Sequence, residues 1–315
     1  MAAAAVVAMV VTAGPAGADP TPPPAGRGFA EVLGGTTTLG LSIPGETVSG
    51  GACHYRRDCR ASAAGLAISA SEVGHHHYAC RMATFVLVHG AFHGAWCWES
   101  LAPLLRQAGH EVVAMDLPIE DGSASFEDYA DVVCASLDGC GDDVVVVGHS
   151  FGGLTIPLVA ARRPVRHLVY LCAVVPEVGK SLYGQLADEP EMADLGYHAG
   201  CTEPDAQLRM RFVDLALFRE WACADCDDTV VQTAFGQLRP QSMYSATLPF
   251  SLAQFPSVPC TSVICSEDRV LGREWAERIA RDRLGAELVE LPGSHSPFLS
   301  RPAAVADVLL RVAGK

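Results

Sequence analysis

The chain has 315 residues, of which 50% are hydrophobic, so it can bury a sizeable core as one large or two ordinary domains. Its net charge of -14 and isoelectric point near 5.1 argue against nucleic acid or an anionic membrane surface as a partner, because both favour basic patches. The composition therefore favours a small neutral or apolar molecule as the ligand.

The first 81 residues differ in kind from the rest of the chain. Residues 2–13 are an apolar run of small side chains, and residues 16–18 match the small-x-small pattern of a secretory cleavage site. No basic region precedes the run. A Pro-, Gly-, Ser- and Ala-rich stretch follows with no sustained period of 3.6 or 2. We predict a largely disordered extension at 1–81.

Met82 stands immediately before the first convincing strand, and we favour it as the native start. The folded domain is then 82–315, and the protein is expected in the cytoplasm. Secretion is the alternative if residues 1–18 act as a signal peptide.

Strands and helices alternate from Met82 onward. Residues 85–88 are a short apolar run that ends in a glycine-punctuated loop, and residues 112–115 form a second strand after helically spaced leucines. Ser125 with Asp128 resembles a capping box that opens a helix through residue 137. The alternation predicts a parallel sheet covered by helices on both faces.

Four valines at residues 144–147 predict a buried strand, which turns through residues 148–152 into an apolar helical segment at 154–161. Glycine flanks Ser150 two residues away on each side, which lets the backbone make a tight, strained turn. This pattern is typical of a nucleophile elbow, with Ser150 as the nucleophile. The alternative is an ordinary strand-to-helix turn with a serine cap.

A further strand is expected from His167 to residue 175. Residues 176–250 show no strand of comparable strength, but they contain helical stretches at 208–221 and 229–238. An insertion at this point of the chain is expected to form a lid over the carboxyl ends of the strands. The sheet resumes after the lid with strands at 260–265 and 287–291, a helix around 275–279, and a closing helix at about 302–312.

A serine hydroxyl needs a base to take its proton and a carboxylate to orient that base. His295 lies on the loop after the last strand, where an elbow-type hydrolase carries its base. Asp268 follows the preceding strand and is the preferred acid. Its neighbour Glu267 and the more distant Glu177 are the alternatives.

The oxyanion formed during acyl attack needs backbone N–H donors. Phe151, directly after the nucleophile and at the start of a helix, is expected to supply one, and Ala91 in the first glycine-rich loop the other. We interpret His149 and His93 as packing or loop-bracing residues.

Nine cysteines lie between residues 97 and 265, an odd number that predicts no disulfide framework. Cys223 and Cys226 have the spacing of a redox or zinc half-site, but no second pair accompanies them. No metal and no cofactor are expected.

The motifs at residues 85–98, 238–240, 265–268 and 293–295 resemble those of the α/β-hydrolase superfamily, in particular the plant methyl esterase and hydroxynitrile lyase group and its bacterial esterase relatives. The resemblance begins at about residue 84 and reaches the C-terminus. It implies a mostly parallel sheet flanked by helices with a helical lid insertion. It also implies a catalytic triad and oxyanion donors at the same residues, namely Ser150, Asp268, His295, Ala91 and Phe151.

Two chemistries occur in this group. The lyases resemble this pattern but carry threonine at the position of Gly90 and lysine at the position of Ser296. Such a lysine would supply positive charge for departing cyanide, whereas ester hydrolysis needs only water at the acyl-enzyme. The resemblance therefore favours an esterase.

The sequence as a whole predicts a serine hydrolase that cleaves a small, largely apolar carboxylic ester through an acyl-enzyme. The alternatives are a small-ligand binding or sensor protein on a hydrolase scaffold, and lyase-type cleavage of a carbon–carbon bond. The only expected partner is the small-molecule substrate, with no nucleic acid and no membrane. Substrate identity, ester or thioester preference and oligomeric state stay open.

Overall fold

The six strands predicted from the sequence occur in the expected order and close to the expected positions, and two short strands, at Arg209–Met210 and Gln241–Ser242, were not predicted. A computed structural model of the protein describes residues 82–314, so the predictions for residues 1–81 lie outside it. Its strands are β1 (Thr84–Val88), β2 (Glu111–Ala114), β3 (Val144–His149), β4 (His167–Leu171), β5 (Arg209–Met210), β6 (Gln241–Ser242), β7 (Cys260–Cys265) and β8 (Glu287–Leu291).

Six of these strands form one parallel sheet in the order β2-β1-β3-β4-β7-β8, and β5 pairs antiparallel with β6 in a separate two-stranded ladder. The register of the central strands aligns Val86 with Val146, and Val146 with Leu168. The carboxyl ends of β1, β3 and β4 therefore meet at one edge of the sheet, which is where an open parallel sheet binds its ligand.

Helices follow most strands. They are α1 (Ala102–Gln107), α2 (Phe126–Ala135), α3 (Ile156–Arg162), α4 (Leu182–Asp188), α5 (Leu215–Ala222), α6 (Asp228–Gly236), α7 (Tyr244–Thr247), α8 (Arg273–Asp282), α9 (Pro297–Ser300) and α10 (Pro302–Ala313). Short 3₁₀ helices occur at Ala95–Trp98, Ser150–Leu154, Pro190–Met192 and Leu195–Gly200. Among residues 82–314, no helix combines the length and apolar character needed to cross a membrane.

Both faces of the sheet are buried, because successive side chains of a strand point to opposite faces. Val86 and Val146 pack in one cluster with apolar side chains of α2, α3 and α8. Leu87 and Val145 pack in another cluster with side chains of α1, α9 and α10. The predicted architecture, a parallel sheet with helices on both faces, is confirmed.

Two predicted elements are wrong in part. The strand expected to reach residue 175 ends at Leu171, because Cys172 adopts a positive φ of 44° that breaks the extended backbone. The stretch expected to be helical from residue 208 starts with a left-handed Leu208, φ 55°, followed by β5. Helix α5 begins only after Asp214, whose side chain accepts a hydrogen bond from the Leu217 amide at 3.0 Å.

At Gly152, the turn after β3 passes close to the end of β1. A Cβ at this position would lie 2.7 Å from the Val88 carbonyl oxygen and 2.8 Å from that of His89, closer than a carbon atom packs against oxygen. A side chain therefore does not fit at this position, because both neighbouring oxygens belong to the backbone and cannot rotate away.

Gly152→Ala is expected to lower the free energy of unfolding by about 1–3 kcal/mol, because the added methyl group forces the two backbone segments apart. Gly236→Ala is the matched control: Gly236 ends α6, and its new methyl group would have no atom within 4 Å. Urea denaturation of both variants tests this. A Gly152 variant as stable as the Gly236 variant would contradict the packing argument.

Candidate active site

Ser150 lies at the sharp turn between β3 and the 3₁₀ helix that follows it. Its φ of 50° is in the left-handed region, which residues other than glycine rarely occupy. The Ser150 carbonyl accepts a hydrogen bond from the Val174 amide at 3.0 Å, which ties the turn to the segment after β4. The serine side chain is thus held at the carboxyl end of a central strand.

His295, on the loop after β8, lies between Ser150 and Asp268. Its Nε2 is 2.9 Å from the Ser150 Oγ, and its Nδ1 is 2.8 Å from the Asp268 Oδ2. A carboxylate can only accept a hydrogen bond, so Nδ1 carries the proton and its N–H donates a hydrogen bond to Asp268. The unprotonated Nε2 then accepts the hydrogen bond from the serine hydroxyl.

Both carboxylate oxygens of Asp268 are engaged. Oδ2 accepts from His295, while Oδ1 accepts from the backbone amides of Val270 and Leu271 at 2.8 and 3.1 Å. These bonds fix the carboxylate plane toward the imidazole. The alternative acids lie elsewhere: Glu267 is exposed, and Glu177 forms ion pairs with Lys180 and Arg283.

The two expected oxyanion donors lie beside Ser150. Phe151 is in the first turn of the 3₁₀ helix, so its N–H has no acceptor within that helix. Ala91 lines the same two cavities as Ser150. The loop carrying Ala91 is close to the serine, because a Cβ on Gly90 would lie 2.9 Å from the Ser150 Cβ.

Three buried histidines brace these loops. The His89 Nδ1 donates to the Gly90 carbonyl at 2.8 Å, while its Nε2 accepts from the Leu117 amide at 3.0 Å. His93 Nδ1 donates to the Ala91 carbonyl at 2.7 Å. His149 Nε2 donates to the backbone carbonyl of His295 at 3.0 Å. These are the contacts of loop-bracing residues, as predicted for His93 and His149.

Burial keeps these bracing histidines neutral. It lowers the pKa of His89 and of His93 to about 4, and it lowers the pKa of His149 well below its ordinary value. For His89 the hydrogen bonds themselves require a neutral ring, because one ring nitrogen is a donor and the other an acceptor.

Asp225 joins the segment between β4 and β7 to the loop of His295. Its Oδ1 accepts from the Ser294 amide at 3.1 Å and from the Ser294 hydroxyl, and its Oδ2 accepts from Arg301 Nε at 3.2 Å. Sequence reasoning missed this residue. The only signal was the cysteine pair on either side of it, which suggested a redox or zinc half-site.

Two cavities meet at Ser150, and each leaves about 60 Å³ for the centres of water-sized molecules. The first, here called the His295 cavity, is lined by His295 together with Phe212, Phe218 and Trp221. The second, the Tyr183 cavity, is lined by Phe151, Tyr183, Tyr197, His198 and aliphatic side chains. Residues of the 176–250 segment thus form much of the wall of both.

The buried histidines predict a loss of stability in mild acid. The unfolded chain protonates His89 and His93 near pH 6.5, the folded protein only near 4, so the unfolded state binds more protons between these values. The free energy of unfolding should fall by about 2 kcal/mol per histidine between pH 7 and pH 5. Urea denaturation at both pH values measures this. Equal or greater stability at pH 5 would contradict it.

Comparison with known proteins gives one family and several esterases. Residues 85–308 match the Alpha/beta hydrolase family. Methylesterase 1 of Arabidopsis thaliana is 30% identical over 258 residues, which are 73% of this chain and 96% of that protein. The carbendazim hydrolyzing esterase of Nocardioides sp. (strain SG-4G) is 32% identical over 250 residues, 72% of this chain and 98% of that protein.

Comparison with solved structures supports the same family. The crystal structure of polyneuridine aldehyde esterase superposes with a TM-score of 0.65 at 25% identity, covering 74% of this chain and 100% of that chain. The family match spans the sheet, Ser150, Asp268 and His295. The resemblance that the sequence motifs indicate is confirmed, and the chain belongs to the alpha/beta hydrolase family.

Proposed function

We propose that this protein is a serine esterase that cleaves a small, largely apolar carboxylic ester through an acyl-enzyme. The observation that carries the proposal is the hydrogen-bonded series of Ser150, His295 and Asp268 where two cavities meet. Ester cleavage is also the activity in the names of the similar proteins from Arabidopsis and Nocardioides.

In the acylation step, the Ser150 oxygen forms a bond to the ester carbon while His295 Nε2 takes the hydroxyl proton. The carbonyl electrons move onto oxygen, and the N–H groups of Ala91 and Phe151 stabilise that charge. The bond to the alcohol oxygen then breaks, and His295 gives its proton to this leaving oxygen. An alcohol departs and the acyl group stays on Ser150.

Deacylation repeats these steps with water. His295 Nε2 takes a proton from a water molecule as its oxygen attacks the acyl carbon, and the proton passes to the Ser150 oxygen when the acid leaves. Asp268 holds the Nδ1 proton throughout and stabilises the imidazolium that forms in each step. Serine and histidine return to their starting states.

The cavity walls support a small neutral substrate. Neither cavity has an aspartate, glutamate, lysine or arginine among its lining residues within the described chain. Burying an unpaired charge there would cost several kcal/mol, so charged substrate arms are disfavoured. Since a water needs roughly 10–15 Å³ by the same measure, each cavity has room for only a short arm.

Gly90 and Ser296 support hydrolysis over lyase chemistry. A Cβ at Gly90 would lie 2.8 Å from the His149 Nδ1 as well as 2.9 Å from the Ser150 Cβ, so a threonine does not fit without displacing the elbow. Ser296 is buried, and a lysine there would have to bury a charge. The sensor alternative has no comparable support, because ligand binding alone needs no base at the serine.

Ser150→Ala should lower kcat/KM for short-chain 4-nitrophenyl esters by at least roughly 10³-fold, because it removes the attacking oxygen of the proposed reaction. Initial-rate assays on the full chain measure this. Ser136→Ala, which removes a hydroxyl bonded to the Val133 carbonyl in α2's last turn, should leave the rate unchanged. Undiminished activity of the Ser150 variant would refute the mechanism.

Asp225→Ala should lower kcat roughly tenfold and change KM less, because the loop carrying His295 loses its tie to the lid segment. Asp227→Ala is the control: Asp227 is exposed and its side chain caps no backbone amide. Steady-state kinetics of the two variants measure kcat and KM and test this prediction. Equal kcat values for both would show that Asp225 does not position His295.

A further inference from the structure

The two cavities differ in which catalytic groups they contain. Both include Ser150 and Ala91, but His295 lines only the His295 cavity and Phe151 lines only the Tyr183 cavity. In the proposed reaction the leaving alcohol receives its proton from His295 Nε2. The alcohol part of the ester therefore faces the His295 cavity, and the acyl part extends into the Tyr183 cavity.

Besides Ser150, three polar side chains interrupt the otherwise apolar wall of the Tyr183 cavity. Tyr183 comes from α4, and Tyr197 and His198 come from the 3₁₀ helix at Leu195–Gly200. Within residues 82–314, the phenol oxygens of Tyr183 and Tyr197 and the ring nitrogens of His198 have no hydrogen-bond partner. Tyr197 and His198 contact each other edge to face, with ring centroids 4.3 Å apart, and the rest of the wall is largely apolar, with side chains such as Leu186 and Met243.

All three groups are neutral at pH 7. Burial raises the pKa of Tyr183 to about 12, raises that of Tyr197 further, and lowers the pKa of His198 to about 4. Each phenol then offers an O–H donor, and the imidazole offers one N–H donor and one acceptor nitrogen. The cavity thus presents hydrogen-bonding capacity without charge.

An acyl chain entering this cavity displaces the water that would otherwise satisfy these groups. A hydrocarbon chain leaves them buried and unpaired, which is unfavourable. A chain with a neutral oxygen, such as a ketone, accepts a hydrogen bond from one of the donors and removes the cost of leaving that donor unpaired. A carboxylate of the same shape brings a charge for which the described lining holds no cation.

We propose that the Tyr183 cavity is an acyl-binding site that selects acyl groups carrying a neutral hydrogen-bonding oxygen, through Tyr183, Tyr197 and His198. This rests on the serine-esterase function proposed above and narrows its substrate class. The preferred esters are those of short oxo- or hydroxyacids with a small apolar alcohol.

The test compares ethyl 3-oxopentanoate and ethyl 4-oxopentanoate with ethyl pentanoate. The ratio of kcat/KM for an oxo ester to kcat/KM for the pentanoate is measured for the full-length protein and for Tyr183→Phe, Tyr197→Phe and His198→Phe. Intrinsic ester reactivity and the fraction of active enzyme cancel when ratios are compared between variants. Tyr244→Phe, which removes a phenol that lines neither cavity, is the matched control.

For at least one oxo ester, we expect the ratio to fall about threefold or more in at least one of the three variants. In Tyr244→Phe the ratio should change by less than about threefold. Ethyl hydrogen succinate, the carboxylate analogue of the 4-oxo ester, should be cleaved at least about tenfold more slowly than that ester. Smaller changes in all three variants, or equal cleavage of the succinate, overturn the inference while leaving the esterase function intact. No Ser150-dependent cleavage of any ester overturns both.

Discussion

The structure depends on the left-handed backbone of Ser150 at the carboxyl end of β3. A φ of 50° is costly for a serine, and it persists because the surroundings over-determine it. Gly152 lets the turn pass against the end of β1, and the Val174 amide holds the Ser150 carbonyl from the other side. This conformation directs the hydroxyl toward the space where the loops after β1, β7 and β8 meet. The proposed chemistry therefore depends on this one backbone conformation.

Among residues 82–314, only the imidazole of His295 forms a hydrogen bond with the Ser150 hydroxyl. His89, His93 and His149 are buried, neutral and used as braces for backbone carbonyls. His295 differs because one ring nitrogen has a carboxylate partner and the other faces Ser150. Asp225, in the lid segment, accepts hydrogen bonds from the Ser294 amide and hydroxyl. The segment that forms much of the cavity wall is therefore bonded to the loop that carries His295.

Local patterns in the sequence were sufficient for the sheet and for the residues that surround Ser150. The valine run, the flanking glycines and the order of Ser150, Asp268 and His295 predict elements that the structure brings together. The secondary structure of the lid was harder to predict from local patterns, because it depends on packing between residues that are distant in the sequence. Apolar spacing at residues 208–221 looks helical, yet Leu208 is left-handed and β5 pairs with β6 more than thirty residues later. No local motif predicts the roles assigned to Asp225, Tyr197 and His198, because those roles depend on contacts between segments that are distant in the sequence.

The most direct test of the account is the mass of the enzyme during turnover. Acid quenching of the protein while it hydrolyses an excess of ester should trap the acyl group, and digestion with mass spectrometry should locate that added mass on Ser150. Steady turnover with no acyl mass on Ser150, or with the acyl group on another residue, would contradict the covalent mechanism on which the other assignments depend.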